Sequence, residues 1–480
     1  CVCVSVFLFF ASPVDAIDES GPRSLDLPGN TAKSRPGKAS LIYPTLDSGL
    51  NQILAGDDPL ETAERLGFRV RDGRVQIVAE AVEESEGELI SWLASRDAKF
   101  ISSYENLVQA FVPLDVLYQL ERHHLVRFVR KPQYLVRPPV PEPVEKSKLV
   151  GYTSQGVAAM NADAWHNNGY TGQGVKVGII DLGYQGYSSL LGSELPDASK
   201  VFTEAFGDTD FERDLHGSAC AEIVYDVAPG ISGMYLAAVT TGIDTANAFD
   251  WLHQQGVDVV SMSMGWGLGG GPADGNGPMS ELIDVFVSGG RVVAVSAGNS
   301  GESHWQGGWS DPDGDSWLEF TSGVELNSIT NLARSENLTI PVDYEITATL
   351  AWNQWNSPTT DLELCLYTWD DETDPTQLVC SEDEQSGQEG QYPRESITHT
   401  VTEEGYYGVA VYHYGGSTNV DIELEINDVP VRYVVQSGSV SVPADTASAI
   451  SVAALDAGSP YALEYYSSRG PTNGPGGSLT

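Results

Sequence analysis

The chain has 480 residues, and its 25 Lys+Arg against 67 Asp+Glu give a formal charge of −42. Such a balance excludes nucleic-acid binding through a basic surface, and 41% hydrophobic with 19% charged residues exclude disorder throughout. The length suggests about two to four domains. The charge is lopsided, with 19 basic and 25 acidic groups in residues 1–200 but 6 and 42 in residues 201–480.

In chain order, Cys1 is followed by an apolar run over 2–10 and then by Ala11-Ser-Pro-Val-Asp-Ala16, which reads as the end of a signal peptide over 1–16. That run is too short to span a bilayer, and no later stretch is long and apolar enough. We therefore expect a secreted, extracellular protein without a membrane span. Residues 17–72 read as a linker or leader, because 17–50 are rich in Ser, Pro and Gly. From 73 to 132 the pattern is regular: strand 75–81, helix 84–95, strands 98–103 and 107–112, helix 114–122 and strand 125–129. This βαββαβ order predicts a small ferredoxin-like domain. A Pro-rich tether over 133–150 follows, containing Arg137-Pro-Pro-Val-Pro-Glu-Pro143, and is expected to be extended, exposed and open to cleavage.

Over 151–301 strands and helices alternate: strand 175–181, helix 216–225, strand 233–239, helix 245–255, strand 257–264, helix 279–288 and strand 292–297. The strands are continuously apolar and the helices amphipathic, which predicts an α/β domain whose parallel sheet is covered on both faces. Residues 302–438 change to Trp, Asp, Gly and Thr with alternating segments at 346–352, 362–367, 406–414 and 420–426, the pattern of an all-β sandwich. At 449–455 the α/β pattern resumes. The β-domain is thus expected as an insert in the α/β domain, whose second part occupies 439–480. Export permits a disulfide between Cys365 and Cys380, which sequence alone leaves open. Cys220, among Ala219, Ala221 and Ile223, reads as a buried inert thiol.

Open α/β sheets place their sites at the carboxyl ends of strands. Asp181 ends a strand where a carboxylate can hold an imidazole, His216 opens a helix beside Gly217, and Asn299 ends Val292-Val-Ala-Val-Ser-Ala-Gly-Asn299 with an amide able to donate to an oxyanion. A carboxylate, a base and an amide donor are the partners of an activated serine. Asp181-Leu-Gly, His216-Gly-Ser-Ala, Ser261-Met-Ser-Met-Gly265, Ser296-Ala-Gly-Asn299 and Ser467-Ser-Arg-Gly-Pro-Thr472, in this order, resemble the blocks of subtilisin-like (subtilase) serine proteases. The resemblance covers roughly 152–301 and 439–472. It implies that Asp181 orients the imidazole, that His216 is general base and then acid, and that Asn299 is an oxyanion donor. Ser263, Met264 and Gly265 would be the edge that pairs with substrate backbone, and Ser296, Ala297 and Gly298 a wall of the primary specificity pocket. The resemblance further implies polypeptide substrates, no cofactor for the chemistry, and an N-terminal domain that acts as a propeptide and intramolecular inhibitor.

Two departures stand out. Ser218 occupies a position where the family usually has Thr, and no Gly-Thr-Ser-x-Ala-x-Pro segment occurs in the chain. Ser478, in Gly476-Gly-Ser-Leu-Thr480, lacks that motif and is not a candidate. The expectation is a fragment of a longer protease, inert as it stands. The alternatives are a non-catalytic secreted binding protein on a subtilase scaffold and a sedolisin-like acid peptidase, against which His216 and Asn299 argue. Segments of the insert at 361–367, 405–411 and 420–426 resemble β-sandwich domains of the pre-peptidase C-terminal type. Asp311, Asp313 and Asp315 offer alternate carboxylates for a structural Ca²⁺, although a solvated acidic turn explains them better because Glu319 does not complete an EF-hand spacing.

Overall fold

The computed structural model describes residues 43–135 and 153–480, apart from 356, 371–373, 382, 388–390 and 428. The expected signal peptide, the leader up to residue 42 and the tether over 136–150 lie outside the described residues. The chain forms two compact units. One comprises Gln133–Gly301 and Val440–Thr472, and the other the described part of Asp15–Pro132 together with Glu302–Ser439 and Asn473–Thr480. The N-terminal module and the insert therefore share a unit, and residues 473–480 fold with the insert rather than with the α/β domain in which they were expected.

Where a linker was expected, residues 43–72 instead form two helices, α1 (Ser48–Ala55) and α2 (Pro59–Arg65). Each begins at an aspartate whose side chain accepts a backbone N–H of the first turn, Asp47 from Leu50 and Asp58 from Glu61. Leu50 and Ile53, one turn apart, are buried. Then come β1 (Val70–Arg71), β2 (Arg74–Ala81), α3 (Glu86–Ala94), β3 (Lys99–Tyr104), β4 (Leu107–Pro113), α4 (Leu114–Leu120) and β5 (Val126–Arg130). Strand β2 pairs antiparallel with β4 and with β5, and β4 with β3, which is the ferredoxin-like βαββαβ arrangement.

The α/β unit opens with two short helices, α5 (Gln155–Ala159) and α6 (Ala162–Asn167). It continues with β6 (Lys176–Asp181), β7 (Val201–Ala205), α7 (His216–Val227), β8 (Gly233–Ala238), α8 (Gly242–Gln254), β9 (Val259–Met262), α9 (Pro278–Ser288) and β10 (Val292–Ser296). The parallel sheet runs in the order Ile450–Val452, β10, β9, β6, β8, β7. Successive residues of one strand enter opposite cores: Val177 and Ile179 pack with Met234 and Leu236 on one face, and Ile180 with Tyr235 and Met262 on the other. That is why these strands read as continuously apolar. Helix α8 is held by a capping box in which Thr241 and Asp244 satisfy each other's backbone N–H. The register pairs Ile180 with Met262 and Met262 with Val295, so Asp181, Ser263 and Ser296 stand level at the carboxyl edge.

The insert comprises β11 (His304–Gly308), β12 (Asn327–Ser328), β13 (Thr339–Ile340), β14 (Glu345–Trp352), β15 (Asp361–Trp369), β16 (Thr376–Ser381), β17 (Arg394–Thr400), β18 (Gly405–Gly415) and β19 (Asp421–Ile426). One antiparallel sheet has the order β11, β19, β14, β17, and the other β12, β18, β15, β16 with β13 also on β18. Ile346, Ala348 and Leu350 alternate inward on β14, as Ile422, Leu424 and Ile426 do on β19. Cys365 and Cys380, directly opposite on β15 and β16, form a disulfide. Among the described residues no helix is long and apolar enough to cross a membrane.

Candidate active site

Asp181, the last residue of β6, is fully buried, and His216 is the first residue of α7. Their side chains meet: the imidazole Nδ1 lies 2.9 Å and 2.8 Å from the two carboxylate oxygens. Two further contacts fix the pair. Leu182 N donates to Asp181 Oδ1 at 2.8 Å, and His216 N donates to Asp214 Oδ1 at 2.9 Å. Gly217 permits the approach of helix to strand, because a Cβ there would stand 2.4 Å from Gly183 O and 2.8 Å from Asp181 Cβ. Beneath them the buried Tyr184 hydroxyl donates to Ile179 O at 2.6 Å, and burial with the Asp181 charge pushes its pKa well above the ordinary phenol value. Burial alone would push the His216 pKa down. The neighbouring Cys220 sulfur and the Asp181 carboxylate reverse that, and the imidazole pKa is raised. An imidazole gripped at Nδ1 by a carboxylate is oriented to exchange a proton at Nε2.

Cys220, expected as a buried inert thiol, packs against the core that holds Val177, Ile179 and Ala221. It is free and half-buried, one turn along α7, with Sγ 3.8 Å from His216 Nδ1. Asp181, His216 and Cys220 each bring a ligand atom within 4.8 Å of the others. The i, i+4 spacing from His216 to Cys220 was the available signal, since residues four apart on a helix are neighbours.

Asn299 stands three residues beyond β10, half-buried, and its side chain has no hydrogen-bond partner among the described residues. The turn that carries it is clamped by the Ser467-Ser468 block: Ser468 N donates to Gly298 O and Ser300 N to Ser468 Oγ, both at 2.9 Å. Gly298 has a φ of +109° and no room for a side chain, since a Cβ would lie 2.2 Å from Ser441 Oγ. The two segments expected to flank the pocket, Ser263-Met264-Gly265 and Ser296-Ala297-Gly298, are joined by residues the sequence reading missed. Ser441 N donates to Ala297 O, and Trp266 N to Val442 O, both at 2.9 Å. Only a weak alternation in Val440-Ser-Val442 marks that strip in the sequence.

A second missed element lies at the end of β8. Leu135 N donates to Thr240 O at 3.1 Å and Gly242 N to Gln133 O at 3.3 Å, so the start of the expected exposed tether is paired antiparallel with Thr240–Gly242. Leu135 is buried, and Gln133 Nε2 donates to Gly269 O at 2.7 Å. These three residues are thus neither exposed nor unpaired.

In the insert, Asp311, Asp313 and Asp315 place carboxylate oxygens within 4.8 Å of one another. Asp311 accepts N–H bonds from Gly314, Asp315 and Ser316 at 2.8–3.1 Å, which is how an acidic turn closes on itself.

Comparison with known proteins shows what the chain is similar to. Residues 172–340 match the profile of the Subtilase family. Subtilisin from Bacillus pumilus is 31% identical over 166 residues, which cover 31% of this chain and 56% of that protein. Subtilisin DY from Bacillus licheniformis is 32% identical over 163 residues, with the same coverage. Subtilisin E from Bacillus subtilis is 31% identical over 166 residues, 40% of its length. The chain spans about half the length of the curated relatives it matches. Among solved structures, the Clostridium perfringens CspB protease aligns over 66% of this chain and 77% of its own at 14% identity and a TM-score of 0.41. The chain carries a subtilase-like domain.

Proposed function

We propose, on the premise that the chain carries a subtilase-like domain, that it belongs to a secreted serine endopeptidase that hydrolyses peptide bonds through an acyl-enzyme. The observation that carries this reading is the buried Asp181 gripping His216 at Nδ1. His216 Nε2 takes the proton of an attacking serine hydroxyl, Asp181 stabilises the imidazolium, and Asn299 donates to the oxyanion of the tetrahedral intermediate. His216 then protonates the leaving amine, and water releases the acyl group by the same steps in reverse. Residues 1–480 hold no Gly-Thr-Ser-x-Ala-x-Pro segment, and this reading requires the hydroxyl of such a segment. The chemistry needs no cofactor, and a Ca²⁺ at Asp311, Asp313 and Asp315 would serve only the insert's loop.

Substrate is read as an extended strand. Ser263–Gly265 and Thr240–Gly242 follow β9 and β8, which flank β6 at one carboxyl edge, and Gln133–Leu135 already pairs with the second of them. That pairing supports an inhibitory role for the chain's own N-terminal portion. In a protein that joins this chain to a serine motif, hydrolysis of a chromogenic peptide at neutral pH should fall by roughly 10⁴-fold or more in His216→Ala. Activity that survives the substitution with an acid optimum would indicate the sedolisin-type mechanism. No activity in any variant would leave the secreted binding protein.

A further inference from the structure

We propose that the inserted β-sandwich is the docking surface of the N-terminal βαββαβ module and retains it without a covalent link. The two share one continuous apolar core, from Leu46, Leu50 and Phe68 to Ile346, Leu350 and Ile397. Specific contacts fix the fit. Ser48 N donates to Asp383, at the N-terminus of α1, and Gln52 Nε2 on the same helix donates to Cys380 O at 3.0 Å. Gly67, with a φ of +71°, lies so close to β17 that a Cβ would stand 2.4 Å from Thr398 Cγ2. The Arg130 guanidinium lies 5.4 Å from the centroid of the Tyr392 ring.

Charge attracts only locally, because residues 43–132 (10 basic, 15 acidic) and the insert are both net negative and Asp47 faces Asp383. The insert, 302–439, holds 26 acidic and 3 basic residues, whereas the module turns Arg65, Arg130 and Lys131 toward it. Lys131 lies beside Glu345 of β14 as well as Asp47 of its own module. An interface that combines a shared core with hydrogen bonds made across it has the make-up of a stable complex rather than a transient contact. The insert thus has a job that catalysis does not require: it holds the module in place.

The test uses the full chain with a C-terminal tag and a site-specific protease sequence in place of part of 138–145. After cutting, the tagged part is captured and the retained module is measured. The wild type should keep the module at low micromolar concentration, and Thr398→Arg should weaken retention at least about tenfold, as should Gln52→Arg from the module's own side. Ser396→Arg, at an exposed position two residues along β17, should not. Because Gln133–Leu135 stays on the cut piece, Leu135→Asp is run in parallel. Retention lost in Leu135→Asp but indifferent to Thr398→Arg and Gln52→Arg overturns the proposal, as does a wild-type module that leaves freely. Near-ultraviolet circular dichroism of each uncut variant separates loss of docking from loss of folding. No peptidase activity is needed, so the outcome is independent of the active-site reading.

Discussion

His216 is held by two opposed influences: burial disfavours its imidazolium, while Cys220 and Asp181 favour it more strongly. With the folded pKa above the unfolded value of about 6.5, protonation adds stability that is fully present below pH ~6.5 and is lost as pH rises through the folded pKa. The same shift delays formation of the neutral base. In Asp181→Asn the burial remains while the carboxylate charge goes, so the His216 pKa should fall by at least about one unit. Nitrogen-15 NMR titration of the imidazole, assigned by its disappearance in His216→Gln, measures this in the chain as it is. A pKa unchanged in Asp181→Asn would mean the carboxylate does not hold the ring. Gly217 is a second residue-scale test. A Cβ there meets backbone at 2.4 Å, so Gly217→Ala should cost about 1–3 kcal/mol in chemical denaturation and perturb the His216 titration, because α7 must back away from β6.

At the scale of elements, Asp47 both caps α1 and accepts Lys131 N, yet burial, and then the Asp383 charge, raise its pKa to about 7. A carboxylate raised from about 3.8 binds more protons when folded, so its ionisation removes stability as pH climbs from about 4 to 7. Asp47→Asn keeps an acceptor at the cap and removes that ionisation. The unfolding free energy of its unit should then decline less between pH 4 and 7 than in the wild type, and an identical slope would exclude Asp47 as the group responsible. These elements also show what sequence can and cannot reveal. Strands β6, β8, β9 and β10 were legible because burial on both faces leaves an uninterrupted apolar run, and α7 and α9 because their apolar spacing is helical. Helices α1 and α2 were missed: each is so short that its main signal is a single capping aspartate within a Ser, Pro and Gly background. Strand β7 was missed because it is an edge strand whose residues 202–205 are exposed, so it carries no apolar run. In the site, the meeting of Asp181 with His216 was legible from motif order. Ser441, Thr240–Gly242 and the Gln133–Leu135 strand act through backbone groups, which any side chain can supply and no motif records.

Over the whole molecule, the −42 charge is concentrated where cations are few, and the insert alone has 26 acidic residues against 3 basic ones. Self-repulsion of that kind opposes compactness at low ionic strength. Salt shortens the Debye length from about 10 Å at 0.1 M to about 3 Å at 1 M, which relieves repulsion between surface carboxylates. Salt also weakens attractive pairs such as Arg334–Glu302, but pairs of this partly exposed kind contribute only about 0–1 kcal/mol each, and three basic residues can form few of them. Repulsion therefore dominates, and calorimetry should show Tm rising with NaCl up to about 1 M. The exposed Glu403 and Glu404 allow the cause to be separated from a general salt effect on burial. Glu403→Gln with Glu404→Gln should raise Tm at low salt and shrink the further rise on adding NaCl. If screening is not the mechanism, the substituted and unsubstituted proteins will gain the same number of degrees from salt, and the acidic surface must then owe its composition to solubility rather than to the balance of forces in the fold.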